Sequence, residues 1–365
     1  MYINFLTEFE YGFGNSLASE EVTVKVVCDF RIIFLSLFFV VNTETRQLNL
    51  FNWSDYLPES VIEEFSDETG IDVQVSSYES NEAMYTKLKI LNSGGYDLAF
   101  PSTYFVSRMI KEQMLQKLDL KKLPNSKFIN QRLQSLAHDP KNEYSIPYLF
   151  GFTILAYNSK VHNEPKSWQY FWSLSKGRPL LLLDDMRESF AVALKSLGYS
   201  SNTTKPKETN LAYEQLKKLK PRVRLFTSET PKSSFVDEEV SLGMIYNGDL
   251  YSVQKANPNV KFSYPSEGFT LWLDSMVIPR KAENVSEAHQ FIDFICRPKV
   301  AAKISESLGY SSPNSGALKY IPEKLRDSPL LNPSEDFIKK GELLMDIGRS
   351  SFIYEDLWQR LKVIR

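Results

Sequence analysis

Carboxylates and aromatic rings recur together at a few places in this chain. Trp53, Ser54, Asp55 and Tyr56 stand in a row in "LFNWSDYLPE". Ser102, Thr103 and Tyr104 follow "YDLAFP", and Asp184, Asp185 and Glu188 follow "PLLLL". "GMIYNGD" supplies Tyr246, Asn247 and Asp249, and "FTLWLDS" supplies Trp272, Asp274 and Ser275. Tyr310 lies in "SLGYSSPN", a loop bounded by glycine and proline. Basic side chains are nearly absent from this set. Ionised carboxylates accept charge-assisted hydrogen bonds from ammonium groups, and aromatic faces attract cations and stack on methylenes. Together they suit a long, flexible ligand that alternates positive charge with hydrocarbon, as a polyamine does. A phosphate or a sugar acid would find little to hold it.

Plainer readings compete. Asp185-Met186-Arg187-Glu188 has the spacing of a helix capping box, and a cap and a binding role are compatible. Trp53, Tyr104 and Trp272, each taken alone, fit a packed core somewhat better than a site. Their recurrence beside carboxylates is what favours a site. An acid/base pair for glycoside cleavage can be drawn from Asp185 with Glu188 or with Asp274. The chain has no G-x-S-x-G elbow and no phosphate-binding glycine loop, so it reads as a binder, not an enzyme, and needs no cofactor. Its two cysteines form no C-x-x-C, which excludes the usual zinc sites. His138, His162 and His289 are scattered in polar surroundings and are expected at the surface without a task.

The elements that must position these residues show in the hydrophobic patterning. "LNLFNW" reads as a strand, Pro58 suits the first turn of a helix, and Gly70 suits the position just past its end. "IDVQVSSY" alternates as a strand, "SNEAMYTKLKILNSGG" reads as a helix ending at Gly94, "YDLAFPSTY" as a strand and "VSRMIKEQML" as a helix. A second series begins near residue 150: strands at "PLLLLDD", "SLGMIYNGD" and "FTLWLDSMVIP", with helices at "MRESFAVALKSLG" and "SEAHQFIDFICRP". Alternating strands and helices imply an α/β fold with a parallel sheet covered on both faces. Every group named above except Tyr310, which lies in a loop, then stands at a strand end, where ligands of open parallel sheets sit.

Composition is permissive. The 365 residues are 42% hydrophobic, enough for two lobes. A net charge of −2 gives no field that would draw nucleic acid. The first 45 or so residues differ from the rest. "RIIFLSLFFVV", residues 31 to 41, has signal-peptide length and is about half of what a bilayer-spanning helix needs. An acidic segment precedes it and no A-x-A cleavage site follows, so an N-terminal anchor or a buried strand remains an alternative. Cys28 precedes the apolar run, which disqualifies it as a lipid-anchor cysteine.

Seven colinear segments carry a resemblance: "FNWSDYLPESVIEEFSDETGI", "SSYESNEAMYTKL", "YDLAFPSTYFV", "DDMRESFAVALKSLGYSSNTT", "LGMIYNG", "WLDSMVIP" and "LGYSSPN". From about Leu48 to Arg365 the chain resembles the spermidine/putrescine-binding proteins of bacterial polyamine ABC importers. The resemblance implies a two-lobed periplasmic-binding-protein fold with two crossovers, each lobe a mainly parallel sheet, and a polyamine in the cleft between them. It implies a signal peptide or extension at 1–45, one lobe from 46–153 and 274–318, and the other from 154–273 and 319–365. It also implies a monomer in the periplasm that serves inner-membrane permease subunits and prefers spermidine, with putrescine as a second ligand. Carried over by position, Asp55, Asp185, Glu188 and Asp274 would meet the amines. Trp53, Tyr104, Tyr246, Trp272 and Tyr310 would enclose the methylenes, and Ser54, Tyr56, Ser102 and Ser228 would add polar contacts. Three positions depart from the family pattern: Tyr246 replaces a Trp, Asp55 replaces a Glu, and Leu344 replaces a Gln that contacts an amine. Asp249 is a strand-end carboxylate which that pattern does not use.

Overall fold

The computed structural model describes residues 46–174, 179–228 and 230–364. The expected signal segment, with Cys28, lies outside them. Every described element belongs to the unit formed by residues 45–365.

In chain order the elements are β1 (Gln47–Trp53), α1 (Glu59–Thr69), β2 (Asp72–Tyr78), α2 (Asn81–Ile90), β3 (Leu98–Ala99), α3 (Thr103–Lys111), β4 (Ser145–Asn158), α4 (Tyr170–Ser173), β5 (Leu180–Leu182), α5 (Met186–Ser196), α6 (Pro206–Leu219), β6 (Val223–Phe226), α7 (Pro231–Val236), β7 (Leu242–Tyr246), α8 (Asn247–Ala256), β8 (Val260–Ser263), β9 (Phe269–Val277), α9 (Val285–Ile295), α10 (Pro298–Leu308), α11 (Glu323–Arg326), α12 (Glu335–Ile338), β10 (Gly341–Leu343) and α13 (Ser351–Val363). The strands lie in the order β2-β1-β3-β9-β4-β7-β5-β6. At each end of this order three strands run parallel: β2, β1 and β3 at one, β7, β5 and β6 at the other. Between them β9 and β4 run antiparallel to each other and to their outer neighbours. The parallel blocks match the expected βα units, whereas the middle of the sheet is mixed.

β4 is the longest strand, and the sequence hides it. Its run "SIPYLFGFTILAYN" is mostly apolar without a period, because nearly every residue is buried and no face alternates with solvent. Pro147 interrupts it, but the register with β9 shifts between Pro147 and Leu149, and a bulge tolerates a residue with no N–H to donate. Gly151 is required by close approach. A Cβ there would stand 2.3 Å from Asn247 Oδ1 and 2.4 Å from the Trp272 ring.

The hydrophobic core falls into separate clusters. One gathers Phe152, Phe190, Met244 and Phe269 with Tyr354 and Leu361 from the C-terminal helix α13. Two others gather residues of β1, α1, β3 and α3 with Met276, Phe291 and Ile304. The chain therefore passes between clusters along β4, back along β9, and a third time after Tyr310, through loops instead of a strand.

Two local readings shift. α2 stops at Ile90, short of Gly94, because Asn92 and Ser93 already adopt positive φ. His162 and His289 are buried, not superficial. His289 Nδ1 lies 2.7 Å from the Val285 carbonyl, and Nε2 accepts the Asp119 N–H at 2.9 Å, pinning the loop before β4 to α9. A polar-looking neighbourhood in sequence concealed that task.

Candidate functional site

The carboxyl ends of the parallel strands in both blocks open onto one cavity of about 480 Å³. All thirteen expected residues line it: Trp53, Ser54, Asp55, Tyr56, Ser102, Tyr104, Asp185, Glu188, Ser228, Tyr246, Trp272, Asp274 and Tyr310. Of the other strand-end carboxylates, Asp184 faces away and pairs with Lys362 of α13 at 2.7 Å, whereas Asp249 lines the cavity.

At the centre stands Asp274 on β9, 5% exposed. Its Oδ1 accepts from Ser102 Oγ at 2.6 Å and its Oδ2 from Tyr56 Oη at 3.0 Å. Ser102 precedes α3 at the position where a serine normally caps a helix, yet its hydroxyl makes no cap bond and is aimed at the carboxylate instead. Burial pushes Asp274 up to about 7; the two hydroxyls pull it back and Asp185 adds to the rise.

Asp185 and Glu188 open α5. Asp185 accepts the Glu188 N–H at 2.9 Å, the first half of a capping box. Glu188 does not reciprocate: its Oε2 accepts from Thr270 Oγ1 at 2.5 Å, across on β9. Cap and cavity wall are thus the same residue, Asp185. Burial raises both carboxylates, and the charge of Asp185 raises Glu188 further. Arg187, buried between them, lowers both and lies 5.3 Å from the centre of the Tyr104 ring.

The aromatic side chains form a connected wall. Tyr246 meets Trp272 edge-on at 5.8 Å, Trp272 meets Tyr310 at 5.3 Å, and Tyr310 meets Tyr56 at 5.5 Å. Trp53 lines the cavity too, its Nε1 donating to the Phe100 carbonyl at 2.9 Å and its ring against Tyr78 at 4.7 Å. The plainer reading of these aromatics was partly right. Tyr104 and Trp272 are each only 8% exposed, and they pack the core as well as face the cavity.

Beyond these, the lining includes Glu79, Asn81 and Lys232, which sequence reasoning did not single out, and Asp249, which it named at a strand end but did not assign to the site. Asn81 is a positioning residue, donating to Ser102 Oγ and to Tyr104 Oη at 3.0 Å each and accepting the Ser102 N–H. Glu79 accepts from Ser54 Oγ at 2.6 Å. Both follow β2, whose carboxyl end obeys the same strand-end rule as the others. Leu344 also lines the cavity, an apolar side chain among its polar neighbours. Trp272 Nε1 and Ser228 Oγ are buried without a hydrogen-bond partner among the described residues.

The family profile described as "Bacterial extracellular solute-binding protein" matches residues 60–333. The chain belongs to the bacterial extracellular solute-binding proteins. This solute-binding protein is 43% identical to the spermidine/putrescine-binding periplasmic protein of Salmonella typhimurium, over 88% of this chain and 93% of that one. Among solved structures, a candidate spermidine/putrescine ABC transporter protein from Listeria monocytogenes superposes with a TM-score of 0.84 at 33% identity, covering 88% of this chain and 100% of the other. The substrate-binding protein PotD of the spermidine/putrescine ABC transporter from Streptococcus pneumoniae gives a TM-score of 0.74 at 32% identity, covering 87% and 98%. Solute-binding proteins of this type are two-lobed, and the two parallel blocks joined by β4 and β9 are those lobes. Among the described residues, no helix is long and apolar enough to cross a membrane.

Proposed function

We propose that this solute-binding protein captures polyamines, spermidine foremost and putrescine second, and delivers them unchanged to the membrane subunits of an ABC importer. The observation that carries the reading is the lining of the cavity. It holds six carboxylates (Asp55, Glu79, Asp185, Glu188, Asp249 and Asp274) and a wall of aromatic rings, against one basic residue, Lys232. Such a lining offers charge-assisted acceptors for several ammonium groups and flat apolar surfaces for the methylenes between them.

In this reading Asp274, Asp185, Glu188 and Asp55 hold the amines. Trp53, Tyr104, Tyr246, Trp272 and Tyr310 enclose the hydrocarbon, and Ser54, Tyr56, Ser102 and Ser228 orient or complete the contacts. Residues 46–153 and 274–318 form one lobe, and residues 154–273 and 319–365 form the other. Residues 1–45 are a signal segment that takes the protein to the periplasm, where it works as a monomer. Calorimetry of the chain from residue 44 onward, with spermidine, putrescine and spermine side by side, tests the reading. Saturable binding without turnover is expected, and no heat with any of the three at millimolar concentration overturns it.

A further inference from the structure

A second cavity, of about 380 Å³, adjoins the first and shares Glu79 and Ser228 with it. It lies at the flank of the fold. Glu79 follows β2 and Phe226 ends β6, and both line this one space. Those two strands stand at opposite ends of the strand order. α2 adds Glu82, and the C-terminal helix α13 adds Glu355, Trp358 and Lys362. The chemistry of the first cavity is repeated here: carboxylates beside aromatic rings.

Two observations mark the space as a place for an ammonium group. Lys362 already puts one there. Its Nζ lies 2.7 Å from Asp184 Oδ2 and 5.5 Å from the centre of the Trp358 ring, so a carboxylate and a ring face share one cation. That lysine occupies Asp184 and leaves Glu82 and Glu355, neither of which has an ion-pair partner among the described residues. The second observation is at the junction. Ser228 Oγ lines both cavities, buried and without a hydrogen-bond partner among the described residues. A buried hydroxyl left unpaired is costly, and an N–H passing from one cavity to the other would satisfy it. Glu82 senses both spaces. Burial pushes it up to about 7, and Asp185 of the first cavity and Glu355 of the second add to the rise.

We infer that the two cavities together hold a linear tetra-amine such as spermine, with three amines in the first and the fourth delivered to Glu82 and Glu355 in the second. The inference rests on the polyamine reading of the first cavity and extends it to a longer substrate. A triamine is served by the first cavity alone. The added arm of a tetra-amine brings one more ammonium and a short run of methylenes. The second cavity offers what that arm needs, unpaired carboxylates and the ring faces of Phe226 and Trp358.

The test is calorimetry of the full chain with spermidine and with spermine, repeated on a paired variant carrying Glu82→Gln and Glu355→Gln. Circular dichroism establishes folding. Binding of spermidine by the unaltered protein upholds the polyamine reading by itself, and binding of neither amine overturns that reading. Binding of spermidine without spermine overturns the present inference alone. The paired variant should shift the ratio of the two affinities at least fivefold against spermine, and a smaller shift overturns the inference. Where that variant fails to fold, monoacetylspermine on the unaltered protein decides. It keeps the length of the tetra-amine and loses one terminal charge, so it should bind at least fivefold more weakly than spermine. A smaller difference overturns the inference.

Discussion

Asp274 combines depth, two hydroxyl donors and charge at one point of the cavity. Truncating one side of a buried charge pair costs roughly 2–5 kcal/mol, much of it from the charge left unpaired. Asp274→Ala should therefore weaken spermidine by about 30-fold to several thousand-fold, at 1.4 kcal/mol per decade. Asp55→Ala should cost less, since a solvated pair is worth about 0–1 kcal/mol. Asp184→Ala is the control: its carboxylate pairs with Lys362 away from the cavity and should leave affinity unchanged. An Asp184 effect as large as that of Asp274 would displace the site. The same carboxylate predicts a pH dependence. Asp274 rises from an ordinary 3.8 to about 7, so between those values the folded, ligand-free protein binds more protons than the unfolded chain. Stability of the free protein should then fall as pH rises from about 4 to 7. An ammonium ligand needs the ionised form, so binding should release protons and tighten over the same range. Thermal melts with and without spermidine at pH 5 and 7.5 check both signs, and a ligand-induced shift no larger at pH 7.5 than at pH 5 contradicts them.

At the level of elements, legibility followed periodicity. The strands at "LNLFNW" and "IDVQVSSY", and the helix between them closed by Gly70 at φ 67°, could be read because alternation and capping are local. β4 could not be read, because a strand buried on both faces has no period and its Pro147 argues against it until the bulge is seen. The site divides in the same way. Strand ends beside carboxylates are visible in sequence, and so is Asp185 as a cap. The role of Asn81 is not, since its partners Ser102 and Tyr104 lie about twenty positions away. Nor is Lys232, since a lysine on a short helix gives no signal in the sequence that it faces a cavity. Gly151 marks where the crossing strands admit no side chain. Gly151→Ala forces a Cβ into the Trp272 ring and Asn247, and Asn247 also ties Phe152 N–H to the Leu330 carbonyl. Overpacking of this kind costs about 1–3 kcal/mol. A lowered melting temperature together with weakened spermidine binding is expected, and an unchanged variant would mean that the two strands yield more easily than this packing implies.

On the scale of the whole molecule, the groups that line the cavity come from both parallel blocks: Trp53 and Tyr104 from one, Asp185 and Glu188 from the other. A ligand that touches both sides favours whichever arrangement brings them together, by as much as its affinity for the two arrangements differs. Small-angle scattering should show a smaller radius of gyration with spermidine than without. Proven binding with an unchanged radius would argue against closure.

The long reach of β9 has a consequence for synthesis. It pairs with β3 and places Asp274 against Ser102, 172 positions earlier in the chain. A chain made from its N-terminus therefore cannot complete either the central sheet or the acidic cavity until "FTLWLDSMV" has emerged. Contacts at such separation carry a loop-closure cost before any reward. Nascent chains truncated before residue 269 should stay protease-sensitive and should not be retained on an immobilised polyamine, whereas chains that run past α10 gain the partner strand. Retention by a 46–268 fragment would show that the first half organises itself without its late-arriving neighbour.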